Sequence, residues 1–231
     1  MSQLAGKTIL VVGANGAFGS AISEKLMSSG ATVMGTARTA DSSVRLSASL
    51  AARLLLDLEQ PSSIQLLADY LIAQPDQLDG IVLASGLVGF GQMAETPAPL
   101  GTRLMQANAL GQIDLVQRLL PKLHESVMAE REPFILSISG VIAEAPMPGL
   151  SAYSASKTAL YGFAQAAAKE LRKSRIRWMD ARPGHTESGL AGRAIFGTAP
   201  NFGPGMSVDH VVERIVKGII DDERDLPSTA F

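Results

Sequence analysis

Thr8-Ile-Leu-Val-Val-Gly-Ala-Asn-Gly-Ala-Phe-Gly19 is the stretch on which the fold turns. Thr8 to Val12 forms an apolar run, the pattern of a strand buried on both faces. Gly13, Gly16 and Gly19 follow at once, and from Ser20 to Ser29 Ile22 and Leu26 recur at helical spacing, with Gly30 at the C-cap. A strand that turns through glycines into a helix lets backbone approach a phosphate, and the helix N-terminus attracts the charge. The stretch therefore reads as a dinucleotide-binding turn, with Gly13, Asn15, Gly16, Ala17, Phe18 and Gly19 beside the ligand. The plainer alternative is a tight turn without a ligand; its place after the first strand favours binding.

Outward from this turn the alternation repeats. Short apolar runs at 31–34, 53–57, 80–84, 133–138 and 176–180 alternate with helical patterns from Pro61, at 103–120, at 151–171 and at 208–220. Pro121 reads as the stop of the 103–120 helix, and any seventh strand must be short. Apolar strands separated by helices predict an α/β fold: a doubly wound, Rossmann-type parallel sheet in three layers, α/β/α. Ligands in such a sheet lie beyond the carboxyl ends of the strands. Residues 1–231 read as one domain. The Gly/Pro-rich stretch Gly197 to Gly205, within 189–206, reads as a mobile loop and a candidate substrate lid. Asp221 to Asp225 reads as a solvated turn.

Composition narrows the classes. Lysines and arginines number 20 against 22 acids, a net charge of −2, which provides no broad basic field for nucleic acid. The absence of cysteine excludes disulfides, thiol nucleophiles and thiolate metal sites, and suits a reducing compartment. The three histidines, His124, His185 and His210, lack metal-ligand spacing, so no metal is expected. Met1 to Val12 has too short an apolar run for a leader, and no run approaches a membrane span. A soluble cytoplasmic protein is the expectation.

The end of the second strand bears on the ligand. Thr36-Ala-Arg38-Thr39 carries a cation and hydroxyls, with no acid before Asp41. An acid there would hold the ribose 2′-hydroxyl of NAD, whereas Arg38 and the hydroxyls of Thr36 and Thr39 favour the 2′-phosphate of NADP. The alternative for Arg38 is a solvated surface side chain. Asp57 either touches the adenine or caps the following turn.

Tyr153 and Lys157 stand four apart on the Ala-rich helical pattern and so share a face. An ammonium beside a phenol lowers its pKa and suits it to proton transfer. With these residues the chain resembles the short-chain dehydrogenase/reductase family over nearly its whole length. The resemblance is carried by Leu4 to Lys7 and the turn to Gly19, Asp57, Asn108-Ala-Leu-Gly111, Tyr153-Ser-Ala-Ser-Lys157, and Pro183-Gly184 with Thr186 beyond. It implies an NADP(H)-dependent oxidoreductase that interconverts a ketone or aldehyde with its alcohol. Tyr153 would be the general acid, Lys157 would lower its pKa and bind the nicotinamide ribose, and Asn108 would hold a relay water. Leu58, Ala84, Ser85, Gly86, Pro183, Gly184 and Thr186 would complete the cofactor site. The 103–120 and 151–171 helices would form a homodimer or homotetramer interface.

Three positions depart from the family pattern. Ala17 stands where glycine is usual, Leu83-Ala-Ser-Gly86 replaces an Asn-Asn-Ala-Gly segment, and Gly140 replaces the catalytic serine. The neighbouring Ser139 can serve if the strand end bulges, which Gly140 makes easier; otherwise it is a strand-end hydroxyl bonded to backbone. These departures give weight to a rival reading, a non-catalytic NADP(H)-binding regulator. A second rival, an epimerase or dehydratase, usually carries a longer C-terminal substrate domain.

Overall fold

The computed structural model describes residues 4–231; Met1 to Gln3 of the segment read for a leader lie outside them. Among the described residues seven strands pair in parallel: β1 (Thr8–Val12), β2 (Thr32–Ala37), β3 (Ala52–Leu55), β4 (Gly80–Leu83), β5 (Phe134–Ile138), β6 (Arg177–Ala181) and the two-residue β7 (Asp225–Leu226). Their order is β3-β2-β1-β4-β5-β6-β7. The chain runs outward from β1 to β3, then crosses back to lay β4 on the other side of β1, which opens the crevice where such sheets bind ligands.

Helices cover both faces. Against one lie α1 (Ala17–Ser28) and α7 (Val208–Ile220), whose Ile22, Leu26, Val211, Ile215 and Ile219 are buried with Ile9, Val11 and Leu136. Against the other lie α3 (Pro61–Ala73), α5 (Gly111–Met128) and α6 (Ser151–Leu171). Fully buried apolar strands and one-sided helices are what a sheet covered on both faces demands. A short α2 (Ala40–Ser43) follows β2, and α4 (Ala98–Met105) precedes α5. Among the described residues no helix is long and apolar enough to cross a membrane.

Two expectations need correction. Pro121 does not stop its helix: α5 runs on to Met128, with Pro121 and Gln117 on its exposed side. Leu115, Leu119, Leu123 and Val127, each four apart, form a buried stripe. Packing of that stripe outweighs the single hydrogen bond that proline forfeits. The helix also begins earlier, at α4, and passes through a π turn, Gln106–Leu110, before α5. Nor is the acidic run at 221–225 merely solvated. Glu223 forks onto Arg214 at 2.8 Å through both oxygens, and Asp225 opens β7 and pairs with Arg182.

Candidate active site

The glycine turn is built by close contact. Gly13 adopts φ +80°, and a Cβ there would lie 2.8 Å from the Ser85 Cβ. A Cβ on Gly19 would lie 2.1 Å from the Gly13 carbonyl oxygen, so α1 meets β1 only through glycine. Gly16 has extended backbone, φ −89°, and its Cβ position is free of such clashes. Ala17 opens α1 on the cavity wall, so the departure from the family pattern leaves the turn intact. No side chain caps the first turn of α1, whose N–H groups are left for an anion. Thr36 does not face a ligand as expected: its buried hydroxyl accepts from the Gly13 N–H at 3.1 Å. Thr39 lines the cavity while capping α2 through Ser42.

A cavity of about 850 Å³ runs from this turn across the strand ends. It gathers Gly13, Asn15, Gly16, Ala17, Phe18, Arg38 and Thr39 at one end with Ala84, Ser85 and Gly86. Ser139, Tyr153, Lys157, Pro183, Gly184 and Thr186 stand at its centre. Asp57 and Leu58 lie in a smaller adjoining cavity of about 160 Å³, with Arg38 and Glu59. The Asp57 carboxylate accepts the Glu59 N–H at 3.0 Å, which makes the turn-capping reading its contact in this structure. Gly19 and Asn108 line neither cavity and act from behind.

Asn108 sits on the π turn, fully buried. Its Oδ1 accepts from Leu87 N at 2.7 Å, and its Nδ2 donates to Leu87 O and to Ser156 Oγ, each at 2.9 Å. The Ser156 hydroxyl donates onward to the Tyr153 carbonyl at 2.7 Å. Both amide hydrogens are thus used, so the side chain clamps the segment after β4 to the turn of α6 that carries Tyr153 and has no hydrogen left to donate to the expected water. Gln112, one helical turn on, donates to Ser85 O at 3.2 Å and completes the clamp. Sequence reasoning missed it, although spacing of four from Asn108 marks the same face.

Lys157 is buried and donates to the Ile138 carbonyl at 2.8 Å. Burial lowers its pKa to about 8, against the opposing pull of Asp180. Burial also pushes the Tyr153 phenol up, to about 12. The expectation that Lys157 lowers this phenol is therefore not met here: the ammonium is turned to a carbonyl, and desolvation of the phenolate wins.

The strand does bulge after β5. Ser139 N and Gly140 N both donate to Ala181 O, at 3.1 and 3.2 Å, and Gly140 takes φ +78°. The bulge nonetheless sends the Ser139 hydroxyl to Asp180 Oδ1 at 2.5 Å, with Ser137 on Oδ2. Ser139 as a donor to a carbonyl is thus corrected: a hydroxyl whose hydrogen is given to a carboxylate has none left to donate. Asp180 and Arg182 were not singled out from sequence. They alternate on and just beyond β6 as Ser137 and Ser139 do on β5, and that pairing of periods is the signal that was available.

Beyond Tyr153 the wall turns apolar, with Val88, Phe90, Ile142, Leu150, Leu190 and Phe202 packed together. The His185 ring lies 5.0 Å from that of Phe202. The expected lid is stitched down here: Ile195 N donates to Val88 O, and Phe90 N to Phe196 O, both at 2.9 Å.

A family model described as short chain dehydrogenase matches residues 7–195. The chain belongs to the short-chain dehydrogenase/reductase family. This is a family of oxidoreductases, and the matched span includes the glycine turn and the Tyr153–Lys157 helix described above. A Dehydrogenase/reductase SDR family protein 7-like of Anopheles gambiae is 29% identical, over 97% of this chain and 75% of that one. Two solved structures share the fold. A 3-ketoacyl-(acyl-carrier-protein) reductase from Brucella melitensis, complexed with NADH, has a TM-score of 0.86 at 19% identity, over 98% of this chain and 99% of that one. A short-chain dehydrogenase from Sphingobium yanoikuyae, in complex with NADPH, has a TM-score of 0.80 at 24% identity, over 96% and 86%.

Proposed function

We propose that this family member is an NADP(H)-dependent reductase of ketones or aldehydes, with Tyr153 as its general acid. The observation that carries the reading is one cavity in which Tyr153 and Lys157 stand between a glycine turn with Arg38 and an apolar pocket. The fit of a dinucleotide rests on two features. Gly13 and Gly19 let β1 turn tightly into α1, which brings the uncapped first turn of α1 to the cavity, and the buried Ser85 hydroxyl on the cavity wall has no hydrogen-bond partner among the described residues. Glycines 13 and 16 and the first turn of α1 would hold the pyrophosphate, Arg38 the 2′-phosphate, and Lys157 the nicotinamide ribose. The nicotinamide supplies hydride when bound.

The chain's own residues then have distinct tasks. Tyr153, protonated throughout the neutral range, donates its phenolic proton to the carbonyl oxygen. Lys157 faces the same end of the cavity and restores charge balance while its ammonium persists, below about pH 8. Reduction is therefore favoured below that pH. Ser139 has a positioning role through Asp180. Phe90, Phe202 and their neighbours exclude water and select an apolar substituent.

Two measurements test the outlying parts. In parallel fluorescence titrations Arg38→Asp is expected to weaken NADPH about 10- to 100-fold, the worth of one or more charge-assisted hydrogen bonds, while NADH changes little. Equal NADPH affinity in the variant would remove Arg38 from the phosphate site. The segment 189–206 acts as the substrate lid, with Gly197 at φ +65°, where a Cβ would lie 2.0 Å from the Phe90 carbonyl oxygen. Gly197→Ala is expected to raise KM for the carbonyl about tenfold and to speed proteolysis within the lid, with cofactor affinity unmoved. An unchanged KM would show that the lid does not shape the substrate pocket.

A further inference from the structure

Glu59, between β3 and α3, holds arginines from two separate elements. Arg103 of α4 forks onto it, Nε to Oε2 at 2.8 Å and Nη2 to Oε1 at 3.3 Å. Arg38, just past β2, approaches Oε1 at 3.5 Å. The carboxylate is mostly covered, its side chain 17% exposed, while the arginines are 54% and 46% exposed and so open to a ligand. Arg38 lines both cavities, Glu59 the smaller and Arg103 the larger, so the triad stands where the two meet.

The charges decide what this cluster can bind. Two guanidiniums and one carboxylate leave a single net positive charge. The Arg103 hydrogen bond holds the Glu59 carboxyl below its usual range, so Glu59 is an anion at neutral pH. Alone with Arg38, that anion would cancel the guanidinium and repel any phosphate brought to it. Arg103 takes the better geometry on Glu59, a fork against one long contact, and so leaves Arg38 with charge to spare.

We propose that Arg103 is a cofactor-specificity residue: by neutralising Glu59 it keeps Arg38 available to an adenosine 2′-phosphate. The inference rests on the reading of Arg38 given above. Glu59 is then the opposing element, an internal anion that weakens binding of the phosphate dianion, and the preference is set by the balance of the three.

The test is fluorescence titration of the full chain with NADPH and with NADH, for four proteins: the unchanged chain, Arg103→Gln, Glu59→Gln and the double variant. At low salt Arg103→Gln should weaken NADPH roughly three- to tenfold, and Glu59→Gln should strengthen it by a similar factor. The double variant should return close to the unchanged chain, because its net charge is again one. NADH should move less than twofold throughout, which also reports that each variant is folded, and the NADPH shifts should fade as salt rises. The proposal is overturned if Arg103→Gln moves both cofactors alike or neither, or if the double variant binds NADPH as weakly as Arg103→Gln. Arg38→Asp, run alongside, separates the two layers. If it leaves NADPH unmoved, the phosphate reading itself fails. If it weakens NADPH while Arg103→Gln does not, only the role of Arg103 fails.

Discussion

Tyr153→Phe is expected to lower carbonyl reduction about 10²- to 10⁴-fold while NADPH affinity stays within about twofold. The phenylalanine ring keeps the volume and removes only the oxygen that delivers the proton. The backbone bond from Ser156 to the Tyr153 carbonyl is unaffected, so the clamp through Asn108 and Leu87 survives. Burial raises this phenol to about 12, so it is protonated at neutral pH in the folded and the unfolded chain alike and the shift itself adds no stability term there. Thermal stability at neutral pH should therefore stay close to that of the unchanged chain. The measurements are steady-state reduction over a panel of apolar ketones and aldehydes, with a cofactor titration on the same sample. Turnover that survives the change would show that another group supplies the proton. Loss of cofactor binding together with turnover would show that the variant acts through the fold of the site.

Sign and direction with pH follow from the same two groups. Lys157, at about 8, loses its proton as pH rises through that value, and the reduction rate should fall with it. Oxidation of the alcohol needs the phenolate, whose high pKa keeps it scarce near neutrality, so oxidation should climb with pH where reduction declines.

How much of this was legible beforehand depends on what kind of physics placed each residue. The sheet was legible, because parallel strands covered on both faces are apolar throughout and helices beside them repeat at 3.6. The residues of the cavity were legible wherever the ends of strands bring them together by topology, as with Gly13, Arg38, Gly86, Tyr153 and Gly184. What escaped was set by packing and by the choice among competing side-chain partners. Proline at 121 marks a stop only until the buried stripe from Leu115 to Val127 is weighed against it. Ser139 and Gly140 suggested a bulge, and the bulge is there, yet nothing local showed that Asp180 would take the hydroxyl. Asp57 left two readings open, and only the structure shows its carboxylate on the Glu59 backbone. Local pattern reaches the backbone and its periodicity; which of several partners a polar side chain takes is decided by the assembled fold, as when Ser139 finds Asp180 41 residues away.

Arg182→Met is expected to cost about 3–5 kcal/mol of stability, the usual result of removing one partner from a buried charge cluster. Arg182 is 2% exposed and reaches Asp225, Glu144 and Asp180, with its guanidinium 4.4 Å from the Tyr161 ring centre. Burial works against its charge, but the hydrogen bonds to Asp225 and Glu144 more than offset that and raise its pKa. Desolvation raises the pKa of Asp180, 1% exposed, and the hydrogen bonds from Ser137, Ser139 and this arginine oppose that only in part. Without Arg182 the carboxyl must either stay charged and unpaired or take up a proton. For a chain of this length the loss corresponds to a fall in melting temperature of roughly 6–20 °C. The pH dependence has a definite sign. Asp180 titrates higher folded than unfolded, so it binds a proton more readily in the native state, and stability falls as pH rises through its folded pKa. The deficit of Arg182→Met should accordingly be smaller at pH 5 than at pH 8. Adding Asp180→Asn should recover part of the loss at pH 8, since it removes the orphaned charge and still offers an oxygen to Ser139. A melting curve for Arg182→Met that matches the unchanged chain at both pH values would mean that the cluster behind the active site contributes nothing to holding β5, β6 and β7 together.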